Sequence, residues 1–188
     1  AKMGTGDDLD AFMLVFGFFS FAATVLAGGL PESFVPAYAE LRERRGLRRA
    51  DRLGVQCAVW HFATLLVCGL LIMLAAPTLV SWATHGFEPQ KQALAVGLVR
   101  SLLPFMLCFG LSYHFSAWLR VGKTFLLATS TPMLVPLGIV TALLLAGDKV
   151  HAGTLVVGTV WGSAALVVVT LLAVAAPYRR PRGRRRAG

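Results

Sequence analysis

The sequence has few acidic residues, few cysteines and no motif of a soluble enzyme. Asp and Glu together number 9, against 18 Lys and Arg. No P-loop, HExxH or GxSxG pattern occurs, so nothing indicates an ATPase, a zinc protease or a serine hydrolase. The three cysteines, Cys57, Cys68 and Cys108, lie in apolar segments without a CxxC pair, which is typical of small buried hydrophobic residues. We therefore expect a protein that is not an enzyme and that has no metal site and no cofactor.

Long apolar runs dominate the chain instead. With 56% hydrophobic and only 14% charged residues, the composition is that of an integral membrane protein. A helix crosses a ~30 Å hydrocarbon core with about 20 residues, and five runs are long enough: 11–31, 53–80, 93–119, 124–147 and 153–176. We predict an all-α membrane protein with a five-helix transmembrane domain over residues 11–176. Residues 1–10 would form an outer acidic segment and residues 177–188 a basic cytoplasmic tail.

Positive charge is concentrated in every second gap between the runs. Six arginines lie between residues 41 and 53, six more in the tail, and two cations in the turn before the fourth run, whereas the other side has only four. The positive-inside rule then places the N-terminus outside and the C-terminus in the cytoplasm. The cytoplasmic topology anchors would be Arg42, Arg44, Arg45, Arg48, Arg49, Arg120, Lys123, Arg179 and Arg180. Because these arginines lie beside membrane spans without a groove-reading motif, we expect contact with membrane lipids and no nucleic acid.

Two carboxylates stand at the ends of the first run. Asp10 precedes it, either as a helix N-cap or as an anionic group at the mouth of a transport cavity. Glu32 lies between Pro31 and Pro36, which are predicted to break or kink the helix. It would either pair with nearby arginines at the interface or face a cavity, because a carboxylate at membrane depth needs water or a cation.

The third and fourth runs contain the other candidates. Arg100 lies near the outer end of its run, where its side chain can snorkel. His114 would hydrogen-bond a neighbouring helix, relay protons or meet a substrate phosphate. Prolines interrupt helical hydrogen bonding, and small hydroxyls nearby can satisfy the released carbonyls. The predicted hinge positions are Pro104, Pro132 and Pro136.

Several stretches resemble the MviN/MurJ family of lipid II flippases, over about residues 4–176 and in helix order. Gly4-Thr5-Gly6, then Asp10-Ala11-Phe12 and later Phe34-Val35-Pro36, are similar to the second membrane helix of that family. Leu103-Pro104-Phe105 resembles its fourth helix, and the run from Lys123 to Leu134 resembles the approach to its fifth. Of the family's charged cavity positions only Asp10 carries over, since Ala23-Thr24 stands where the family has an arginine pair.

The resemblance implies a lobe of the multidrug/oligosaccharidyl-lipid/polysaccharide exporter superfamily, in which two six-helix lobes rock about a central cavity. This chain would supply helices two to six of the N-terminal lobe, and we expect it to be a piece of a longer or divergent flippase. Its substrate would be a lipid-linked oligosaccharide such as lipid II, moved across the bacterial inner membrane for peptidoglycan synthesis, with a second transporter lobe as partner. A lobe of a multidrug or polysaccharide exporter and a non-transporting membrane scaffold remain alternatives.

Overall fold

The computed structural model describes residues 7–83, 88–121, 125–147 and 151–179, and these segments are almost entirely helical. The anchors Lys123 and Arg180, the first six residues and most of the basic tail lie outside the described residues. The elements are α1 (Asp7–Gly28), α2 (Leu30–Arg45), α3 (Leu47–Ala83), α4 (Pro89–Val121), α5 (Phe125–Ser130), a 3-10 turn (Thr131–Met133), α6 (Leu134–Ala146) and α7 (Ala152–Arg179).

Within the described residues, five segments are long and apolar enough to cross a membrane. They are Leu9–Arg45, Leu47–Ala83, Pro89–Val121, Leu126–Ala146 and Ala152–Ala176. The predicted all-α membrane fold is therefore confirmed. The orientation across the membrane stays a prediction.

The first segment is divided by a single glycine rather than by its prolines. α1 ends at Gly28 and α2 begins at Leu30, with Pro31 in the first turn of α2, where its missing N–H costs no helical bond. Pro36 lies inside α2 without ending it. Gly29 keeps nearly helical backbone angles (φ -78°, ψ -12°), so the break is mild and comes before both prolines.

Helix α4 is the centre of the bundle. Helices α1, α3 and α7 each pack along it, whereas α1 has little contact with α3 or α7. Large residues fill these contacts, and those with essentially no exposed surface include Phe12, Phe19, Leu65, Leu102, Phe105, Met106 and Leu166. Between α1 and α4, the aromatic rings of Phe16 and Phe105 stack with centroids 5.1 Å apart.

Helices α6 and α7 approach each other through glycines. A methyl group added at Gly138 would lie 2.5 Å from the carbonyl oxygen of Gly158, and one at Gly162 would lie 2.6 Å from that of Leu134. Gly158 and Gly162 are four residues apart, which is the small-residue spacing of closely packed membrane helices. Main chain therefore meets main chain here, with no room for a side chain between the two helices.

Candidate functional site

Arg100 lies on an exposed strip of the central helix. Ala93, Gly97, Arg100 and Pro104 are all exposed, and their spacing of four, three and four residues places them on one face of α4. At 1.5 Å per residue, α4 is about 50 Å long and Arg100 lies about 16 Å from its start. The backbone of Arg100 is therefore within the apolar segment. It forms no ion pair or hydrogen bond with the residues that the structure describes. An arginine at this depth is stable only if its side chain reaches water, a phosphate or a cavity.

Asp10 forms an ion pair with the outer end of α4. Its Oδ2 lies 3.2 Å from Nζ of Lys91, and the Asp10 side chain is 67% exposed whereas that of Lys91 is 11% exposed. Because α1 begins at Asp7, Asp10 lies in the first turn of the helix and is not its N-cap. Lys91 and Arg100 are nine residues apart, which is two and a half turns, so they lie on opposite faces of α4. The structure therefore does not bring Asp10 and Arg100 into one site.

Glu32 lies in the first turn of α2 and is exposed. It forms no ion pair within the described part of the chain, although pairing with nearby arginines was one of its two predicted roles. The ion pair that α2 does contain is Glu40 with Arg44, at 3.2 Å and one turn apart. A carboxylate in the first turn is also favoured by the helix dipole.

The corner between α2 and α3 is densely basic. Gly46 forms it with φ +82°, a conformation that favours glycine. The predicted anchors around it are all exposed: Arg42, Arg44, Arg45, Arg48 and Arg49. Arg120 is exposed at the end of α4, and Arg179 is the last residue of α7.

His114 is completely buried between α4, α3 and α2, at 0% exposure. Its Nε2 lies 2.9 Å from the carbonyl oxygen of Gly54 on α3. On the same interface, Nε2 of His61 lies 3.2 Å from the carbonyl oxygen of Gly110 on α4. A carbonyl oxygen only accepts, so Nε2 is the donor in both bonds. Two reciprocal histidine–glycine bonds thus join α3 and α4. His114 is buried and lies about four turns along α4 from the exposed Arg100.

An aromatic cluster surrounds His114. Phe34 and Tyr38 come from α2 and Trp118 from α4, and the Phe34 ring centroid lies 4.8 Å from that of His114. The Tyr38 hydroxyl donates to Oδ1 of Asp51 on α3 at 2.6 Å. The aromatic cluster of Phe34, Tyr38, His114 and Trp118 therefore holds α2 against both α3 and α4.

The prolines predicted as hinges occupy different settings. Pro104 lies inside the continuous helix α4, whereas Pro132 falls in the 3-10 turn that separates α5 from α6. Pro136 lies in the first turn of α6. Around this interruption, the hydroxyl of Ser130 donates to the carbonyl of Leu126 at 2.9 Å. Local hydroxyls satisfy carbonyls there, while a hinge function stays a prediction.

Sequence reasoning did not find the reciprocal bonds or the partner of Asp10. A weak signal was present: Gly54 and His61 are seven residues apart and Gly110 and His114 are four apart, so each pair shares a helix face. Within the described residues, no three His, Cys, Asp or Glu side chains group together to hold a metal ion.

Comparison with known proteins identifies the family. The family model described as lipid II flippase MurJ matches residues 1–186. Curated proteins and solved structures gave no significant match. The match includes all five apolar segments, which confirms the resemblance found in the sequence. The chain therefore belongs to the lipid II flippase MurJ family, a family of multi-pass membrane transporters.

Proposed function

We propose that this chain forms part of the N-terminal lobe of a flippase that exports a lipid-linked oligosaccharide such as lipid II. The observation that carries the proposal is the family match over residues 1–186. Transport would proceed by alternating access in the bacterial inner membrane, with the headgroup between two lobes and the lipid tail in the bilayer. A second transporter lobe would complete the cavity.

Within this chain, Arg100 is the residue we assign to the substrate. Its guanidinium can bind a diphosphate through two parallel hydrogen bonds, a geometry that lysine cannot provide. The neighbouring strip residue Gly97 leaves open space, since nothing lies within 4 Å of a methyl group added there. A phosphate group can therefore approach the α4 backbone next to Arg100.

Helix α4 also contains the means to move Arg100. Pro104 lies one turn further along the same exposed strip, and a proline removes one helical hydrogen bond at that point. Bending α4 at Pro104 would shift Arg100 relative to the segment that α3 holds through His114 and Gly110. Pro132 and Pro136 would give the fourth span a similar freedom.

Lipid II exposure at the outer surface tests the proposal. The gene product that contains this chain is expressed in cells whose own flippase is depleted, and an added lipid II-cleaving enzyme measures the accessible fraction. Charge-assisted hydrogen bonds contribute about 1.5–3 kcal/mol, so we expect Arg100→Gln to lower the flipping rate at least about tenfold. Arg100→Lys should keep part of the activity, and Arg48→Gln, at an exposed arginine of the α2–α3 corner, serves as the matched control.

The outcomes separate the alternatives. Flipping that survives Arg100→Gln unchanged contradicts the assignment of Arg100, and absence of flipping by the unsubstituted protein contradicts the proposed function itself. Drug export that depends on Asp10 or Glu32 would support a multidrug exporter. A cellular role that survives all of these substitutions would support a scaffold.

A further inference from the structure

One nitrogen in the middle of the α2–α3–α4 contact has no hydrogen-bond partner among the residues that the structure describes. Nδ1 of His114 is buried and unpaired in the structure, while Nε2 of the same ring donates to Gly54. A buried polar atom without a partner costs free energy. His61 makes the same kind of bond to Gly110, but its second nitrogen is not among the buried unpaired atoms of the described residues. Both histidines thus join α3 to α4 through Nε2. They differ in the second ring nitrogen, which is buried and unpaired in His114 alone among the described residues.

The side chains around Nδ1 of His114 suit a neutral imidazole ring and not a protonated one. With Nε2 donating, neutral His114 presents only a lone pair at Nδ1. Protonation would replace this lone pair with an N–H group and add a positive charge. The ring neighbours Phe34 and Trp118 offer π faces but no oxygen that could accept the new bond. In hydrocarbon or packed protein, such a group requires either water or a rearrangement of its neighbours.

We propose that His114 is a proton-binding site that controls the docking of α2 on α3 and α4. With His114 neutral, Phe34 and Tyr38 pack on the α3–α4 pair as the structure shows. With His114 protonated, the aromatic cluster opens so that water reaches Nδ1, and α2 separates from α3 and α4. The joint at Gly29 lets α2 move without unfolding α1. This proposal goes beyond the proposed function and does not depend on transport.

Other titratable groups around the cluster require controls. Tyr38 faces it from α2, and its hydroxyl is held by Asp51 of α3. Cys57, also on α3, packs against the cluster. His61 interacts electrostatically with His114 from α3, and Arg42 interacts with Tyr38 from the end of α2. Asp51 and His61 are ionisable and interact with members of the cluster, so each needs its own variant.

Thiol labelling of Cys57 measures the opening directly. The full chain, with Cys68 and Cys108 replaced by alanine, is purified in detergent micelles and treated with dithiodipyridine, which reacts with thiols at acidic and neutral pH. The rate for the parent is divided by the rate for His114→Gln at each pH, which removes the intrinsic pH dependence of the thiol. We expect a ratio near one at pH 8 that rises at least about fivefold at pH 5.5, since the unmet N–H costs on the order of 1 kcal/mol or more.

The control variants determine what the rise means. His61→Gln and Asp51→Asn should keep it, because the first leaves His114 intact and the second preserves an oxygen that accepts from Tyr38. A ratio that stays flat with pH, or a rise that disappears in His61→Gln or Asp51→Asn, overturns the proposal.

A second measurement covers the case in which His114→Gln does not fold. Nitrogen-15 spectra of labelled histidines in the parent, assigned with His61→Gln, report protonation of His114 at each pH. We expect the protonated fraction and the Cys57 labelling rate to change over the same pH range. Labelling that rises while His114 stays neutral would also overturn the proposal. Loss of lipid flipping bears on neither readout, so failure here and failure of the proposed function are distinguishable.

Discussion

Replacing Gly54 with alanine should destabilise the protein for steric reasons. A methyl group added there would lie 2.5 Å from Cη2 and 2.6 Å from Cζ2 of Trp118. The Trp118 ring cannot simply rotate away, because the rings of Phe34, Tyr38 and His114 surround it at centroid distances of 6.1, 5.8 and 5.9 Å. Overpacking of this kind costs about 1–3 kcal/mol. Any shift of α3 also lengthens the bond from His114 to the Gly54 carbonyl.

The matched control for Gly54→Ala is Gly17→Ala. Gly17 lies inside α1 with nothing within 4 Å of an added methyl group. Both variants gain the same helix propensity of alanine over glycine, so their difference isolates the steric cost. We expect Gly54→Ala to be less stable than Gly17→Ala by about 1–3 kcal/mol. The assay is unfolding in mixed micelles with increasing sodium dodecyl sulfate, followed by circular dichroism.

A double-mutant cycle identifies Trp118 as the cause. Phenylalanine lacks the outer ring atoms that the new methyl group would meet, so Gly54→Ala should cost much less in a Trp118→Phe background. If Gly54→Ala matches Gly17→Ala in stability, or costs as much with phenylalanine at position 118, the reasoning from the α3–α4 contact is wrong.

Three further predictions use the same unfolding assay. Gly162→Ala should lower the free energy of unfolding by about 3 kcal/mol, because the added methyl group meets the rigid α6 main chain at 2.6 Å. A loss of stability smaller than that of Gly54→Ala would contradict this. Tyr38→Phe removes the hydroxyl that donates to Asp51, and it should lower the free energy of unfolding by about 0.6 kcal/mol and at most ~1.7 kcal/mol. An unchanged unfolding midpoint would show that this hydrogen bond contributes nothing to stability. Asp10→Asn should change stability by at most about 1 kcal/mol, since the carboxylate paired with Lys91 is 67% exposed; a larger loss would indicate a buried pair.

The sequence was sufficient for the fold class because hydropathy acts over whole segments. Apolar runs of 20 or so residues can only be membrane helices or large cores, and the asymmetry of arginine predicts an orientation without any tertiary information. The family could also be predicted, since motifs such as Asp10-Ala11-Phe12 consist of consecutive residues. These properties do not depend on how the helices are rotated against one another.

The contacts of the candidate residues depend on that rotation. Lys91 reaches Asp10 because the first turns of α1 and α4 lie side by side, and Arg100 faces the other way because nine residues make a half-integral number of turns. Gly29 interrupts the first segment although Pro31 and Pro36 are the stronger local breakers, since both can be accommodated within α2. The pairing of Lys91 with Asp10 does not follow from local sequence, because it depends on how α1 packs against α4.

The contacts along the bundle resist relative movement to different degrees. Between α6 and α7, main chain touches main chain at Gly138, Gly158 and Gly162, so sliding one helix along the other would produce immediate clashes. Between α1 and α4, the contact includes stacked phenyl rings, a hydrogen bond between the hydroxyls of Thr24 and Tyr113, and an ion pair with an exposed carboxylate. Side-chain contacts of this kind can shift with small changes of rotamer. If the chain changes shape as proposed, α6 and α7 should therefore move as one body while α1 shifts against α4. Helix α2 is linked to α1 through Gly29 and packs against α3 and α4 through the aromatic cluster. The proposed protonation of His114 therefore acts where α2 meets α3 and α4.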